Sequence, residues 1–148
     1  MSNLVADIVA RAHAGDYDAL VEAVPYAKWL GLHYAESEGQ LIGTMAYADH
    51  LIGNPLLPAI HGGTLGALLE STAIFEILWR HKSALPPKTI NVTIEYLRSA
   101  RPVDTFAAAT ITKAGRRVVA VRAEAWQDDR NRPVALASAR FLVMAKER

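Results

Sequence analysis

The sequence predicts an α+β domain in which an antiparallel β-sheet curls around one long central helix. One observation behind this prediction is an apolar run over residues 62–81, which would be hydrophobic on most sides of a helix. The other is that four strand-like segments follow this run with no helical segment between them, which argues against a doubly wound parallel sheet. Because a helix that is apolar on most sides must be enclosed, we expect the sheet to wrap around it.

The N-terminal part of the chain is expected to be helical and to lead into a hairpin. Apolar residues recur at helical spacing over residues 3–24, and Gly15-Asp16 is expected to divide this stretch into two short helices. Residues 25–30 predict one further helical turn. Strand-like alternation begins near Leu32, and residues 37–40 have the composition of a hairpin turn.

The rest of the chain predicts a second strand, a loop, the central helix and the last strands. Residues 41–47 alternate as a strand does, and the glycine and prolines within 49–58 indicate an irregular loop. The central helix is expected to end near His81, because Pro86-Pro87 prevents its continuation. The last strands are expected over residues 89–98, 103–112, 118–126 and 134–144.

The composition is that of an ordinary globular domain. At 148 residues we expect one domain, with an N-terminal helical extension over 1–30 and the main body over 31–148. The absence of cysteine excludes disulfides, thiolate nucleophiles and cysteine-based zinc sites. A net charge of +1 gives no global attraction to nucleic acid. With no secretory leader and no membrane-spanning run visible, we expect a cytoplasmic protein with neither a nucleic-acid nor a membrane partner.

The start of the central helix carries the residues that indicate chemistry. His61, Gly62 and Gly63 stand where unpaired backbone N–H groups and the helix dipole can hold a developing negative charge. Two turns further on, Glu70 is surrounded in sequence by apolar residues, which predicts a buried carboxylate. A buried carboxylate is costly unless it is paired or used. This combination indicates a hydrolytic or proton-transfer site.

Several segments resemble one known family, the hotdog-fold thioesterases of the phenylacetate-degradation type. The likeness rests on His61-Gly62-Gly63 opening a helix and on an acid seven residues beyond Gly63. It extends through the segments NVTIEYLRSARPVDTFAAATITKAGRR and VALASARFLV, and it covers about residues 30–146. Many relatives carry Asp at the acid position, so Glu70 is more similar to the bacterial 4-hydroxybenzoyl-CoA thioesterase branch.

The resemblance implies hydrolysis of a small or medium acyl or aryl thioester of coenzyme A (CoA). It implies a homo-oligomer, a dimer or a tetramer, with active sites across the dimer interface and no cofactor beyond the CoA of the substrate. Gly62 would donate its N–H to the thioester carbonyl, with Gly63 beside the substrate. Glu70, from the other subunit, would act as general base or as a nucleophile that forms a mixed anhydride.

Other candidate residues keep two interpretations each. His61 is either an acid–base group or a residue that orders the turn. Asn54 either positions the carbonyl or water or forms an Asx turn before Pro55; relatives often place an Asn six residues before the His, whereas Asn54 lies seven before His61. Four cationic residues either bind CoA or are solvated. These are Arg98, Lys113, Arg116 and Arg117.

Two features are expected to have no catalytic part. Glu76 stands four residues before Arg80, a spacing that favours a helix ion pair, so we interpret Glu76 as structural. The histidines outside the glycine motif show no metal-ligand spacing, and we expect no metal site. They are His13, His33, His50 and His81.

Two other classes of function stay open. A hydratase or dehydratase of enoyl thioesters would need a His and an acid that meet across the dimer, and His50 or His61 with Glu70 supplies such a pair. A non-catalytic acyl-CoA-binding protein would bind the thioester without turnover. Release of thiol distinguishes the hydrolase from both.

Overall fold

One six-stranded antiparallel sheet wraps around a long helix in the computed structural model, which describes residues 2–81 and 85–144. The helices are α1 (Ser2–His13), α2 (Asp18–Glu22), α3 (Pro25–Trp29) and α4 (Gly62–His81). The strands before α4 are β1 (Leu32–Ser37), β2 (Gln40–Met45), β3 (Ile52–Asn54) and β4 (Ala59–Ile60). Those after it are β5 (Lys88–Tyr96), β6 (Thr105–Ala114), β7 (Val118–Trp126) and β8 (Ala135–Leu142). The predicted α+β class is confirmed.

The last four strands are consecutive in sequence but not in space. The sheet order is β1-β2-β6-β7-β8-β5, and β3 pairs with β4 in a separate ribbon. Thus β5, which follows α4, crosses to the far edge of the sheet and pairs with β8 instead of with β6. The edge position of β5 leaves one side of its backbone without a neighbouring strand among the residues that the structure describes.

The local predictions differ from the structure mainly at element ends. The central helix has the expected bounds, and the break in the N-terminal helices falls at Gly15, whose φ of 97° ends α1. The region expected as an irregular loop over 49–58 instead contains a 3₁₀ turn over Asp49–Leu51 and the short strand β3.

The core lies between α4 and the inner face of the sheet. Large leucines of α4 face a surface of small residues, which allows the helix to approach the strands closely. The leucines are Leu65, Leu68 and Leu69. The small residues are Ala107, Ala109, Ala123, Ala125, Ala135 and Ala137, which are paired across β6, β7 and β8 and are buried.

The buried carboxylate of α4 is Glu76. Its side chain is fully enclosed, and its Oε1 accepts hydrogen bonds from the Arg80 guanidinium at 2.7 and 3.1 Å. Its Oε2 accepts the backbone N–H of Leu41 in β2 at 3.0 Å. The predicted Glu76–Arg80 ion pair is confirmed, and the same carboxylate fastens α4 to the sheet.

The N-terminal helices cover the C-terminal part of α4. His13 stacks on Trp79, with ring centroids 5.5 Å apart, and its Nε2 lies 2.6 Å from the Trp79 carbonyl oxygen.

Within the described ranges, no helix combines the length and the apolar character that a bilayer span requires.

Candidate active site at the start of the central helix

The first peptide groups of α4 are held by His61, which caps the helix. Its Nδ1 accepts the N–H of Gly63 at 2.8 Å, and its carbonyl oxygen accepts the N–H of Thr64 at 3.0 Å and the Thr64 hydroxyl at 2.6 Å. These hydrogen bonds order the turn into the helix. The Gly63 N–H is occupied, whereas the Gly62 N–H has no acceptor among the described residues.

A short loop fixes the backbone just before the helix. The N–H of His61 donates to the carbonyl of Leu51 at 2.8 Å, and the N–H of Ile60 donates to that of Ala100 at 3.0 Å. Gly53 packs directly on His61, since a Cβ at position 53 would lie 2.7 Å from the His61 Cα. The helix start is thus attached to both neighbouring segments.

The end of β5 contacts the same glycine. The hydroxyl of Tyr96 donates to the Gly62 carbonyl at 2.9 Å. Gly62, Leu65, Tyr96 and Arg98 line an open cleft of about 390 Å³. Arg98, predicted as a substrate-binding residue, borders this cleft, and its Nε donates to the Pro133 carbonyl at 3.1 Å. Tyr96 was not a predicted site residue, because its sequence position indicates only a strand.

Glu70 lies on a side of α4 that the chain itself leaves partly open. Contrary to the sequence prediction, its side chain is half-buried in the single chain; the fully buried carboxylate is Glu76. Glu70 forms no ion pair or hydrogen bond with any residue that the structure describes. Glu70 lies eight positions after Gly62 in the helix, which corresponds to about 12 Å along the axis. One chain does not bring these two predicted residues together.

Asn54 and His50 are engaged elsewhere. The Oδ1 of Asn54 accepts the N–H of Leu56 at 3.0 Å, which forms an Asx turn. His50 Nε2 lies 3.0 Å from the Trp29 carbonyl oxygen. Across the described residues, no three His, Cys, Asp or Glu side chains converge in a metal-binding cluster.

The three basic residues of the β6–β7 hairpin share a cavity with a fourth cation. Lys113, Arg116, Arg117 and Arg140 line an open cavity of about 600 Å³ with no carboxylate among its lining residues. Arg140 was missed by sequence reasoning. It stands in β8, and the register that places it beside the hairpin is a tertiary property that spacing along the chain does not reveal.

Comparisons with known proteins place this geometry in a family. Residues 57–134 match the Thioesterase superfamily, a segment that includes the start of α4, Glu70 and the β6–β7 hairpin. A search of curated proteins finds no significant match.

Solved structures with the same fold are numerous. A Chromobacterium violaceum protein is 38% identical, with a TM-score of 0.79 over 99% of this chain and 100% of its own. A phenylacetic acid degradation-related protein from Ralstonia eutropha is 26% identical, with a TM-score of 0.75 over 91% of this chain and 98% of its own. A Bacillus halodurans protein crystallised with CoA is 19% identical, with a TM-score of 0.74 over 98% of this chain and 91% of its own.

Proposed function

This chain belongs to the Thioesterase superfamily, and we propose that it hydrolyses small or medium acyl or aryl thioesters of CoA in a homodimer or a tetramer built from it. The observation that carries this proposal is the Gly62 N–H at the start of α4, which has no acceptor within the described residues. It stands beside an open cleft and at the positive end of a helix dipole. Such a donor stabilises the oxygen of a thioester carbonyl as that oxygen becomes negative.

The second catalytic group, Glu70, must come from another chain. About 12 Å of helix separates it from its own Gly62, too far for both groups to act on one carbonyl. An unpaired half-buried carboxylate on an open helix face fits a partner whose surface completes the site.

The edge strand β5 offers the contact through which two chains join. It is nine residues long, and Ile90 and Tyr96 are 52% and 54% exposed. A long edge strand with unpaired backbone groups and some exposed apolar side chains favours pairing with another strand. We therefore propose antiparallel pairing of β5 with β5 of a second chain about a two-fold axis.

This pairing brings Glu70 of one chain towards Gly62 of the other. Gly62 lies at the Tyr96 end of β5 and Gly66 packs on Ile94, so α4 runs towards the beginning of β5. Antiparallel pairing sets the beginning of one β5 beside the end of the other. In the proposed dimer, the partner subunit's Glu70 therefore lies near the cleft beside Gly62, where we propose that the thioester carbonyl binds.

The reaction then needs one water and no cofactor beyond the substrate's own CoA. In the general-base route, Glu70 takes a proton as the water oxygen bonds to the thioester carbon, and the carbonyl oxygen becomes negative against the Gly62 N–H. The C–S bond breaks as the carbonyl re-forms, and the proton passes from Glu70 to the departing sulfur. In the nucleophilic route, the Glu70 oxygen bonds to the thioester carbon, the C–S bond breaks, and CoA leaves as its thiolate from the mixed anhydride that forms. Water then hydrolyses the anhydride to the free acid and the Glu70 carboxylate, and the thiolate takes up the proton that is released.

The test is a panel of acyl-CoA and aryl-CoA thioesters, assayed for free thiol, with Glu70→Gln beside the unaltered protein. We expect thiol release by the unaltered protein and a loss of at least about 100-fold in kcat for Glu70→Gln, since the amide cannot accept the proton. Glu38→Gln, in the exposed hairpin turn between β1 and β2, is the matched control and should retain the parent rate.

Other outcomes would contradict the proposal. Parent-level activity of Glu70→Gln would exclude the mechanism. Water addition to an enoyl-CoA without thiol release would indicate a hydratase, and tight acyl-CoA binding without turnover across the panel would indicate a binding protein.

A further inference from the structure

The side chain of Thr64 contacts the peptide unit that carries the Gly62 N–H. That unit joins His61 to Gly62, so its acceptor end is the His61 carbonyl. The Thr64 hydroxyl donates to this carbonyl oxygen at 2.6 Å, and the N–H groups of Thr64 and Leu65 donate to it at 3.0 and 3.4 Å. One carbonyl oxygen therefore accepts three hydrogen bonds, while the N–H of the same peptide unit has no acceptor among the described residues.

The hydroxyl contact is the part of this arrangement that depends on the side chain at position 64. The two N–H groups belong to the first helical turn and would be present with any residue there other than proline. Thr64 is only 8% exposed, and its hydroxyl has no acceptor besides the His61 carbonyl in the part of the chain that the structure describes. Because the donor is buried, this hydrogen bond is stronger than it would be in water.

We propose that Thr64 is a positioning residue that strengthens the Gly62 N–H as a donor to the thioester oxygen. This inference rests on the proposed function, in which that N–H stabilises the negative charge. Hydrogen bonds in a chain polarise one another, and the two ends of an amide are coupled by resonance across the C–N bond. Each hydrogen bond that draws electron density onto the His61 oxygen therefore leaves the Gly62 nitrogen and its proton more positive.

The size of the effect follows from what one such donor contributes to the rate. Loss of an entire oxyanion donor lowers kcat by about 100- to 1000-fold. A hydrogen bond strengthens the next one in a chain by roughly 10–30%. Applied to the free energy that the donor contributes, this fraction corresponds to a change of about two- to eightfold in kcat. Because the effect grows as charge develops on the thioester oxygen, KM should stay near the parent value.

The first test compares kcat and KM of Thr64→Val and Thr64→Ser with those of the parent, on the best acyl-CoA of the panel. Valine keeps the shape of threonine and removes the hydroxyl, so we expect kcat to fall about two- to eightfold with KM retained. Serine keeps the hydroxyl and removes a buried methyl group. Thr64→Ser should therefore show the parent kcat, although the loss of the methyl group lowers its stability.

Thr72→Val is the matched control on the same helix. The Thr72 hydroxyl donates to the Leu68 carbonyl at 2.7 Å and lies 2.9 Å from the Tyr34 hydroxyl. Thr72 lies ten positions after Gly62, about 15 Å along the axis. Its replacement also leaves the buried Tyr34 hydroxyl without this partner, so Thr72→Val should lose more stability in urea than Thr64→Val and still retain the parent kcat. If both valine variants lower kcat equally, the loss comes from the helix as a whole and the proposal is overturned.

A second test measures the polarisation of the peptide unit without an activity assay. His61-Gly62 is the only His-Gly pair in the sequence. Protein labelled isotopically at the histidine carbonyl carbons and the glycine nitrogens therefore gives one carbonyl-to-amide NMR signal. We expect Thr64→Val to move the His61 carbon and Gly62 nitrogen resonances to lower frequency, because a carbonyl that loses a hydrogen bond is less polarised. Thr64→Ser should keep the parent signal.

The inference and the proposed function can fail separately. If no thioester in the panel is hydrolysed, the proposed function fails, and the NMR signal still decides whether Thr64 polarises this peptide unit. An unchanged signal in Thr64→Val would overturn the inference. The parent kcat in Thr64→Val, or a lowered kcat that Thr64→Ser does not restore, would overturn it as well.

Discussion

At the scale of single residues, two glutamates six positions apart on one helix have opposite environments. Glu76 faces β2 and is enclosed, with its charge matched by Arg80. Glu70 faces the open side and has no partner among residues 2–81 and 85–144. The sequence alone identified the pairing of Glu76 from its spacing to Arg80. It did not predict which carboxylate is buried, because that depends on which side of α4 the sheet covers.

Tyr34 gives a residue-scale prediction about alkaline stability. Burial raises the pKa of Tyr34, whose hydroxyl lies 2.9 Å from the Thr72 hydroxyl. In the unfolded chain a tyrosine ionises near pH 10. The free energy of unfolding should therefore keep its full value below about pH 10 and fall as the pH rises above it, because the unfolded state then releases a proton that the folded state retains.

The check is denaturant unfolding of the parent and of Tyr34→Phe at several pH values between about 8 and 11. The variant should show a shallower alkaline decline. Part of the decline should remain, because the hydrogen bond to Asp49 also raises the pKa of Tyr47. Tyr26→Phe, at an exposed site in α3, is the control and should show the same fall of unfolding free energy with pH as the parent. If the parent and Tyr34→Phe lose stability equally as the pH rises, the buried Tyr34 is not the cause of the decline.

At the scale of elements, the helices and strands could be predicted from local periodicity, but their neighbours could not. The central helix has its expected bounds over Gly62–His81, because an apolar run, a glycine start and following prolines are all local signals. The position of β5 beside β8 depends on contacts between distant segments. For the same reason Tyr96 and Arg140 were not predicted as site residues. Each lies beside its neighbours, Gly62 for Tyr96 and the β6–β7 hairpin for Arg140, only because of how the strands pair in the sheet.

The attachment of α4 to β2 through Glu76 gives a prediction about stability. Glu76→Ala leaves the Leu41 N–H buried without an acceptor and Arg80 without its carboxylate, so we expect a loss of roughly 3 kcal/mol in the free energy of unfolding. Glu76→Gln retains an oxygen for Leu41 and should lose less.

The matched control for this measurement is Glu124→Ala, which removes a half-exposed ion pair with Arg130 and should cost less than about 1 kcal/mol. If urea unfolding gives equal losses of unfolding free energy for Glu76→Ala and Glu124→Ala, the buried carboxylate of Glu76 does not stabilise the attachment of α4 to β2.

At the scale of the whole molecule, the proposed dimer makes thioester hydrolysis depend on the association of two chains. Ile90→Lys puts a charge on the exposed edge of β5, where pairing with a second strand would bury it. We expect this variant to sediment as a monomer and to lose thioester hydrolysis together with dimerisation.

Val103→Lys is the control for this variant, because Val103 is a similarly exposed apolar residue outside the strands. It should leave both association and activity intact. A monomeric Ile90→Lys protein with full activity would show that one chain contains a complete site.

The peptide groups at the start of α4 have one further consequence. The carbonyl of Gly62 and the N–H of Gly63 belong to the same rigid plane, and that plane is anchored on one side by Tyr96 and on the other by His61. The preceding plane is anchored by Thr64 through the His61 carbonyl. The remaining amide dipole, that of Gly62, is therefore already oriented before any substrate arrives. No reorientation of the backbone has to accompany the growth of charge on the carbonyl oxygen.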